Sequence, residues 1–233
     1  MLPRTAKFFM SRRTALLLAA LAVFVAGVAL RSRSAEAPAA IRLSGRQIEF
    51  PAVVTAGSFE REILGMPGYH LIVWKDGRAA SAALLRAEVT DAEVLDALER
   101  LGARPGDALG MATWEERKDS ASRAPDAVIL GPPVEILVKV PGRKQPLTLA
   151  EILEDPGGRG FDMRFGGHRA NIPKWKSGCV VCLYSCPGSK VGNARYTVRD
   201  YVKGTTKFRV RRGVLPEDGS RVSVVLRLRP SLP

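Results

Sequence analysis

The chain has 233 residues, of which 46% are hydrophobic and 25% charged, so it is long and apolar enough for one well-buried domain and is not a disordered tail. Its 36 Lys and Arg against 23 Asp and Glu give a net charge of +13, which concerns its partners and not its fold. Three cysteines are too few for a disulfide-built scaffold, and their odd number leaves at least one without an intramolecular partner.

The first feature along the chain is an uncharged run of 17 residues, Thr14–Leu30, between basic flanks. This pattern is typical of a signal peptide or a membrane anchor, and its length is at the short limit for a helix that crosses about 30 Å of hydrocarbon. Small-residue cleavage patterns end at Ala37 and at Ala39, and neither is strong. We predict that residues 1–39 direct the rest of the chain to the periplasm or cell envelope, with residues 14–30 in the membrane if they are not cleaved.

Ser11–Leu17 (SRRTALL) resembles the twin-arginine signal, which exports proteins that are already folded, often with a cofactor in place. The alternative is an ordinary secretory signal whose basic region contains Arg12 and Arg13. Either signal predicts an extracytoplasmic location, and we therefore expect no nucleic acid among the partners.

Charge divides the exported part into two segments. Residues 40–156 carry 14 basic and 18 acidic side chains, whereas residues 157–233 carry 16 basic and four acidic ones. The positive charge therefore belongs to the C-terminal third, where an acidic partner would bind.

Short apolar runs predict strands in residues 40–156. They lie at Ile41–Val54, Tyr69–Trp74, Ala82–Val89 and Val134–Val140. The pair Asp76-Gly77 separates two of these runs, which predicts a hairpin between them.

Helix signals follow the first three strands. Thr90 and Glu93 have the spacing of a capping box, and the helix that they predict ends at Gly102. A second capping box predicts a short helix at Thr148–Glu154.

The run Val89–Gly106 (VTDAEVLDALERLGARPG), which follows these strands, resembles a stretch of the YdjY-like family of uncharacterised bacterial proteins. The resemblance covers roughly residues 45–155, with an extension to the final strands left open, and implies that residues 40–156 form a YdjY-like α+β region. The sequence departs from the family at Gly77–Ala83, where a more polar Lys-x-His-Glu type of stretch is expected. Activity that this stretch carries in the family is not expected here.

Two strands are predicted near the C-terminal end of the sequence, at Lys207–Arg211 and Arg221–Arg229. In the second, apolar residues alternate with a face that carries three arginines, so one face is predicted to be core and the other a basic ribbon. Consecutive strands with one or two short helices predict an α+β fold on a mostly antiparallel sheet. Residues 157–233 are expected to complete the same domain with a basic, cysteine-containing loop and closing strands.

All three cysteines lie in Cys179–Pro187 (CVVCLYSCP), with the spacing C-x2-C-x3-C-P. This segment resembles the last three cysteines of the bacterial ferredoxin motif, with Lys176 at the position of the first. Thiolates at these spacings can converge on one centre. We predict an iron–sulfur cluster, of the 4Fe–4S type, on Cys179, Cys182 and Cys186, with His168 as the fourth ligand or one iron left open.

Neighbouring residues suggest how such a cluster would be held. Val180, Val181 and Leu183 are expected to shield it from water, and Trp175 to cover it. Three lysines are expected to lower the pKa of the thiols, namely Lys174, Lys176 and Lys190. His70, in an apolar strand, is interpreted as a structural histidine.

Other interpretations of the cysteines stay open. A structural zinc site would use Cys179, Cys182, Cys186 and His168. An exported protein can instead hold one disulfide and a free thiol, or the cysteines can be inert buried residues. A c-type haem is disfavoured because Leu183, not histidine, follows Cys182.

The functional hypothesis is an exported or membrane-tethered redox or electron-transfer accessory protein with an unidentified redox partner protein. The alternative is a non-catalytic envelope binding module with a structural zinc ion or a disulfide and a basic surface. An enzyme is not favoured, since the chain has no G-x-S-x-G or H-E-x-x-H motif and only two histidines.

Overall fold

The computed structural model describes residues 41–61, 68–116, 122–203 and 206–230, which belong to one compact unit, Ala39–Pro233. The predicted signal or anchor, residues 1–39, lies outside the described residues, and so does its twin-arginine pattern. Within the described ranges, no helix is both long enough and apolar enough to cross a membrane.

The fold is mixed α and β, with one large and mostly antiparallel sheet and few helices. The described strands, in chain order, are β1 Arg42–Ser44, β2 Gln47–Val54, β3 His70–Trp74, β4 Ala83–Ala87, β5 Val134–Lys139, β6 Leu147–Thr148, β7 Leu153–Glu154, β8 Met163–Phe165, β9 Cys179–Cys182, β10 Val191–Asn193, β11 Arg209–Val210 and β12 Arg221–Leu228. The large sheet has the order β6-β5-β12-β2-β4-β3-β9-β10-β8, with β1 beside β2, while β7 and β11 form a separate pair.

The helices are short. Those described are α1 Ala56–Glu60, α2 Asp91–Arg100, α3 Met111–Glu116, α4 Leu149–Ile152, α5 Ile172–Trp175 and α6 Val198–Lys203. They outnumber the one or two that the sequence predicts, because most are one or two turns long and too short to show an amphipathic period.

Helix α2 begins as predicted. The Thr90 hydroxyl accepts the Glu93 N–H at 3.1 Å, and the Glu93 carboxylate accepts the Thr90 N–H at 2.7 Å. Gly102, with a φ of +83°, follows the last turn. The capping box of Thr148 and Glu151 is also present, at the start of α4. Local side-chain signals therefore placed the starts of both helices correctly. The second helix ends earlier than predicted, at Ile152, because Leu153–Glu154 form strand β7.

The predicted hairpin at Asp76-Gly77 is wrong. Strands β3 and β4 pair in parallel, with His70 opposite Ala83, so the chain between them is a crossover that contains a 3₁₀ turn at Ala80–Ala82. The crossover is held from elsewhere in the chain: the Arg78 N–H donates to Lys176 O and the Ala79 N–H to Ser177 O, each at 3.1 Å. These long-range bonds outweigh the local turn signal.

Strand β12 pairs with β2 on one side and β5 on the other, so the basic C-terminal segment lies within the large sheet. Its alternating apolar face is buried as predicted, and Val225 on the opposite face is buried as well. Arg227 and Arg229 both form ion pairs with Glu135 of β5. The predicted basic ribbon is therefore partly neutralised by carboxylates on the adjacent strands. Of the predicted strand at Lys207–Arg211, only β11 forms.

Candidate metal centre

Strand β9 carries two of the three cysteines between β3 and β10. Side chains three residues apart on a regular strand point to opposite faces of the sheet. Yet Cys179 and Cys182 share one small buried cluster, whereas Val180 and Val181 between them belong to the main core. The strand must therefore be irregular.

The irregularity is in the pairing of β9 with β3. His70 lies opposite Cys182, and Val73 lies opposite Cys179, with register shifts between these pairs that leave Val180 as an extra residue. Bulges of this kind re-aim side chains and are frequent beside functional sites. Here they bring both cysteines to the face that His70 occupies.

The donor atoms of three residues converge on this face. His70 Nδ1 lies 3.4 Å from the Cys179 sulfur, and a ring nitrogen of His70 and the sulfurs of Cys179 and Cys182 all lie within 4.8 Å of one another. Cys186, in the loop after β9, lies in the same buried cluster as Cys179 and Cys182. All four residues are buried, and His70 and Cys186 retain 9% and 8% exposure. The arrangement is three thiols and one imidazole in a nearly closed pocket.

The walls of this pocket are small and apolar. Val73, Ala80 and Ala83 pack with the three cysteines. The expected shield of Val180, Val181 and Leu183 is not there, because those side chains lie in the main core. The wall comes instead from β3, the crossover and the start of β4, and Ala80 and Ala83 belong to the stretch where the sequence departs from the family resemblance.

Two glycines let the crossover lie against the start of β9. A Cβ atom on Gly77 would lie 2.4 Å from Ser177 O, and one on Gly178 would lie 2.7 Å from the Cα of Gly77. Gly178 also has a φ of +68°, which favours glycine. The two backbones therefore touch where no side chain fits.

The loop after β9 places backbone N–H groups near two of the thiols. Burial and thiol–thiol hydrogen bonds raise the pKa values of Cys182 and Cys186, and backbone hydrogen bonds from Tyr184 and Gly188 oppose this rise. The turn is closed by Ser189, whose N–H and hydroxyl both donate to Cys186 O, at 3.2 and 2.9 Å. Hydrogen bonds to the sulfur favour the charged thiolate, which is the form that binds metals.

Trp175 lies against this loop. Its ring is 3.3 Å from the position that a Cβ atom on Gly188 would take. The ring of Trp114 meets Trp175 edge to face, with 5.0 Å between centroids. Trp175 therefore covers the turn that carries Cys186.

Comparison with known proteins identifies the family of the chain. The YdjY domain matches residues 42–227. The chain belongs to the YdjY domain family. It is 32% identical over 160 residues to "Uncharacterized protein YdjY" of Escherichia coli (strain K12), an alignment that covers 68% of this chain and 67% of that protein. No solved structure matches the chain. The match extends past the resemblance at residues 45–155, so the YdjY domain includes the cysteine segment.

Two cysteines of this YdjY domain, Cys182 and Cys186, have raised pKa values, opposite to the direction that the sequence suggested. Burial raises the pKa of Cys182 well above its usual value, and the hydrogen bond with Cys179 adds to this. The hydrogen bond with Cys182, together with burial, raises the pKa of Cys186 in the same way. In the metal-free chain, the thiols of Cys182 and Cys186 are therefore protonated at neutral pH.

The three lysines expected to lower these pKa values do not act on the thiols. Lys174 and Lys176 are exposed. Lys190 is buried, and its Nζ lies 3.0 Å from a carboxylate oxygen of Asp91. Its charge is therefore paired elsewhere.

The structure brings His70 to the cysteines and not His168. Burial lowers the pKa of His70 to about 4, so its imidazole is neutral and able to bind a metal. His168 is half-buried and precedes a 3₁₀ turn, Arg169–Asn171, outside the group of donor atoms that the described residues form. In the sequence, His70 stands out only as a polar residue at the start of the apolar run 70–74. Its partners become visible only when β3 pairs with β9.

The donor set fits a single tetrahedral ion. Zn–S bonds of about 2.3 Å and Zn–N bonds of about 2.0 Å place ligand atoms about 3.5 to 3.8 Å apart. The separations in this YdjY domain, 3.4 Å for one pair and at most 4.8 Å within the group of three, are near that range. A cubane cluster attaches each thiolate to a different iron and so needs its sulfurs farther apart.

Proposed function

We propose that this YdjY-domain protein is an exported or membrane-tethered electron-transfer protein whose redox centre is iron bound by Cys179, Cys182 and Cys186. His70 completes the donor set. The observation that carries the proposal is the convergence of two buried thiols, those of Cys179 and Cys182, and the neutral imidazole of His70, with Cys186 in the same buried cluster.

The size of the hydrophobic core favours a redox role over a structural one. Structural metals and disulfides are typical of small domains that cannot bury enough apolar surface. Here one continuous core extends through the large sheet, from Ile48 in β2 to Leu228 in β12. An ion at the cysteines is therefore not needed to hold the fold, and its chemistry is the better reason for the site.

The position of the pocket suits electron transfer. His70 and Cys186 keep slight exposure, so the centre lies just below the surface, while apolar walls exclude water from it. Iron supplies a one-electron couple. The protein supplies the ligands, the N–H groups that hydrogen-bond the sulfurs and the low-polarity surroundings, which together set the potential.

Two kinds of iron centre use these ligand types, and the cluster would require the sulfurs to move apart. The short separations between donor atoms favour a single iron ion. The C-x2-C-x3-C-P spacing favours a 4Fe–4S cluster, with His70 or solvent at the iron that has no thiolate. Acid-labile sulfide distinguishes the two.

The test is anaerobic purification of the full-length chain, followed by assay of iron, zinc and sulfide. We expect iron, with visible absorption that bleaches on reduction. Zinc at one ion per chain without sulfide would contradict the redox proposal and leave a structural Cys3His site. A disulfide between any two cysteines of the native protein, detected by mass spectrometry, would exclude both kinds of metal site.

Export is tested separately. Residues 1–39 fused to an enzyme that is active only outside the cytoplasm should give activity. Loss of that activity in an Arg12→Lys, Arg13→Lys variant would identify the twin-arginine route, and unchanged activity would identify the ordinary secretory route. An inactive parent fusion would contradict export.

A second candidate is an envelope binding module that docks on an acidic partner. It is favoured by an open groove of about 510 Å³, whose lining includes Lys207, Arg209 and Arg212 beside Glu60 and Glu154. The test is binding to vesicles that contain anionic lipid. Binding that neither salt nor the Arg209→Gln, Arg212→Gln variant weakens would exclude this role.

A further inference from the structure

The peptide group between Pro187 and Gly188 is hydrogen-bonded at both ends. Its N–H end, on Gly188, lies in the turn that the Ser189 N–H closes onto Cys186 O, and a backbone hydrogen bond from Gly188 acts to lower the pKa of the Cys186 thiol. Its carbonyl end, on Pro187, accepts from Asn171 Nδ2 at 2.9 Å. Asn171 is 3% exposed and also donates to Leu109 O at 3.3 Å. A buried asparagine thus holds the peptide that donates to the ligand.

The next peptide group, between Gly188 and Ser189, is held through its carbonyl oxygen. Lys190 Nζ donates to Gly188 O at 3.2 Å and pairs with Asp91 at 3.0 Å. The side chains of Lys190 and Asp91 are 1% and 9% exposed. Gly188 is therefore fixed by hydrogen bonds to the carbonyl oxygens of Pro187 and of Gly188 itself, and the ring of Trp175 packs against it.

Hydrophobic packing does not explain why a lysine and an asparagine are buried at this turn. Burying a lysine and an asparagine costs free energy that their hydrogen bonds only offset, and an apolar core would be as stable. What the buried polar groups add is orientation. A donor on the carbonyl of a peptide also polarises its N–H group and strengthens the hydrogen bond that this N–H makes.

We propose that Asn171 and Lys190 are positioning residues, which aim the Gly188 N–H at Cys186 and so set the reduction potential of the metal centre. The effect on the potential rests on the function proposed above, whereas the orientation of Gly188 does not. Hydrogen bonds to ligand sulfurs withdraw charge and favour the reduced metal, so weakening this bond lowers the potential.

The test compares two buried asparagines. Asn171→Leu removes the donor to Pro187, while Asn193→Leu removes a fully buried amide whose bonds go to Asp162 N, Arg195 N and Gly160 O, none of them in the turn that carries Cys186. A paired variant, Lys190→Met with Asp91→Asn, removes the second contact without leaving an unpaired buried charge.

The first readout is hydrogen exchange of the Gly188 amide, followed by NMR in the metal-free full-length chain. We expect exchange about fivefold to tenfold faster in Asn171→Leu and in the paired variant, the size expected for one weakened hydrogen bond, and little change in Asn193→Leu. Equal exchange in Asn171→Leu and the parent would overturn the proposal.

The second readout is the reduction potential of the iron-loaded chain. It should move to more negative values in Asn171→Leu and in the paired variant, and stay unchanged in Asn193→Leu. An unchanged potential in both altered chains would overturn the role of these residues in tuning the metal. If the chain binds no iron but Gly188 exchange responds as expected, the proposed function fails and the positioning role stands.

Discussion

The imidazole of His70 lies 3.4 Å from the thiol of Cys179, although 109 residues separate them in the chain. This contact forms only when β3 pairs with β9. The candidate metal centre therefore depends on the large sheet, and the two histidines of the chain offer a matched way to test it.

Replacing His70 with alanine should lower metal affinity by about 10-fold to 100-fold or more, since it removes one of four donors. His168→Ala should leave the affinity unchanged, because His168 is outside the group of donor atoms. Cobalt(II) titration of the metal-free chain, followed by the thiolate-to-cobalt absorption, measures both. Loss of affinity in His168→Ala alone would restore the ligand set predicted from the sequence.

The stability of the metal-free chain should depend on pH through His70. The pKa of His70 is about 4 in the folded chain, below its ordinary value of 6.5, because burial disfavours the charged imidazole. Unfolded chains therefore take up the proton first. The stabilisation is complete above pH 6.5 and falls by about 3 kcal/mol in total as the pH falls to about 4.

Urea denaturation at several pH values measures this loss. Carboxylates with lowered pKa values, such as Glu49, act only below pH 4.5, so the interval above it reports His70. The slope should disappear in His70→Gln and persist in His168→Ala. A slope that persists in His70→Gln would assign it to another group.

The apparent affinity for a metal ion should rise steeply as the pH rises. Burial and the hydrogen bonds among the thiols keep the pKa values of Cys182 and Cys186 high, so binding must release their protons. Release of two protons raises the apparent affinity up to about 100-fold per pH unit. Zinc competition assays between pH 6 and 8 measure this dependence, and an affinity independent of pH would contradict protonated thiols. Lys174→Gln should not alter it, because Lys174 is exposed.

Adding a methyl group where the crossover meets β9 should disturb the site. In Gly77→Ala the new Cβ meets Ser177 O at 2.4 Å, so we expect a loss of stability of about 1 to 3 kcal/mol and weaker metal binding. Gly110→Ala is the control, since nothing lies within 4 Å of its added Cβ. Urea midpoints compare the two, and equal midpoints would show that the crossover can move without cost.

Local signals in the sequence predicted much of the fold. The capping box of Thr90 and Glu93 fixes the start of α2 through contacts between residues three apart, which the sequence displays directly. The alternation in β12 likewise predicted its buried face. The pairing of segments that are far apart in the sequence could not be predicted in this way. The turn at Asp76-Gly77 begins a crossover because its backbone bonds to residues 176 and 177.

The candidate site was predicted in part for the same reason. The three cysteines are close in sequence, so their convergence could be expected. Proximity along the chain then favoured His168 as the fourth ligand, whereas strand pairing selects His70. Register shifts turn Cys179 and Cys182 to one face, and these shifts depend on the pairing with β3. No pattern within residues 179–182 predicts them.

The iron content of the anaerobically purified full-length chain, measured beside its His70→Ala and Cys182→Ser variants, tests the central claim most directly. We predict iron in the parent chain, less iron in His70→Ala and none in Cys182→Ser. Zinc alone in the parent chain, or iron retained in full by Cys182→Ser, would contradict an iron centre at these residues.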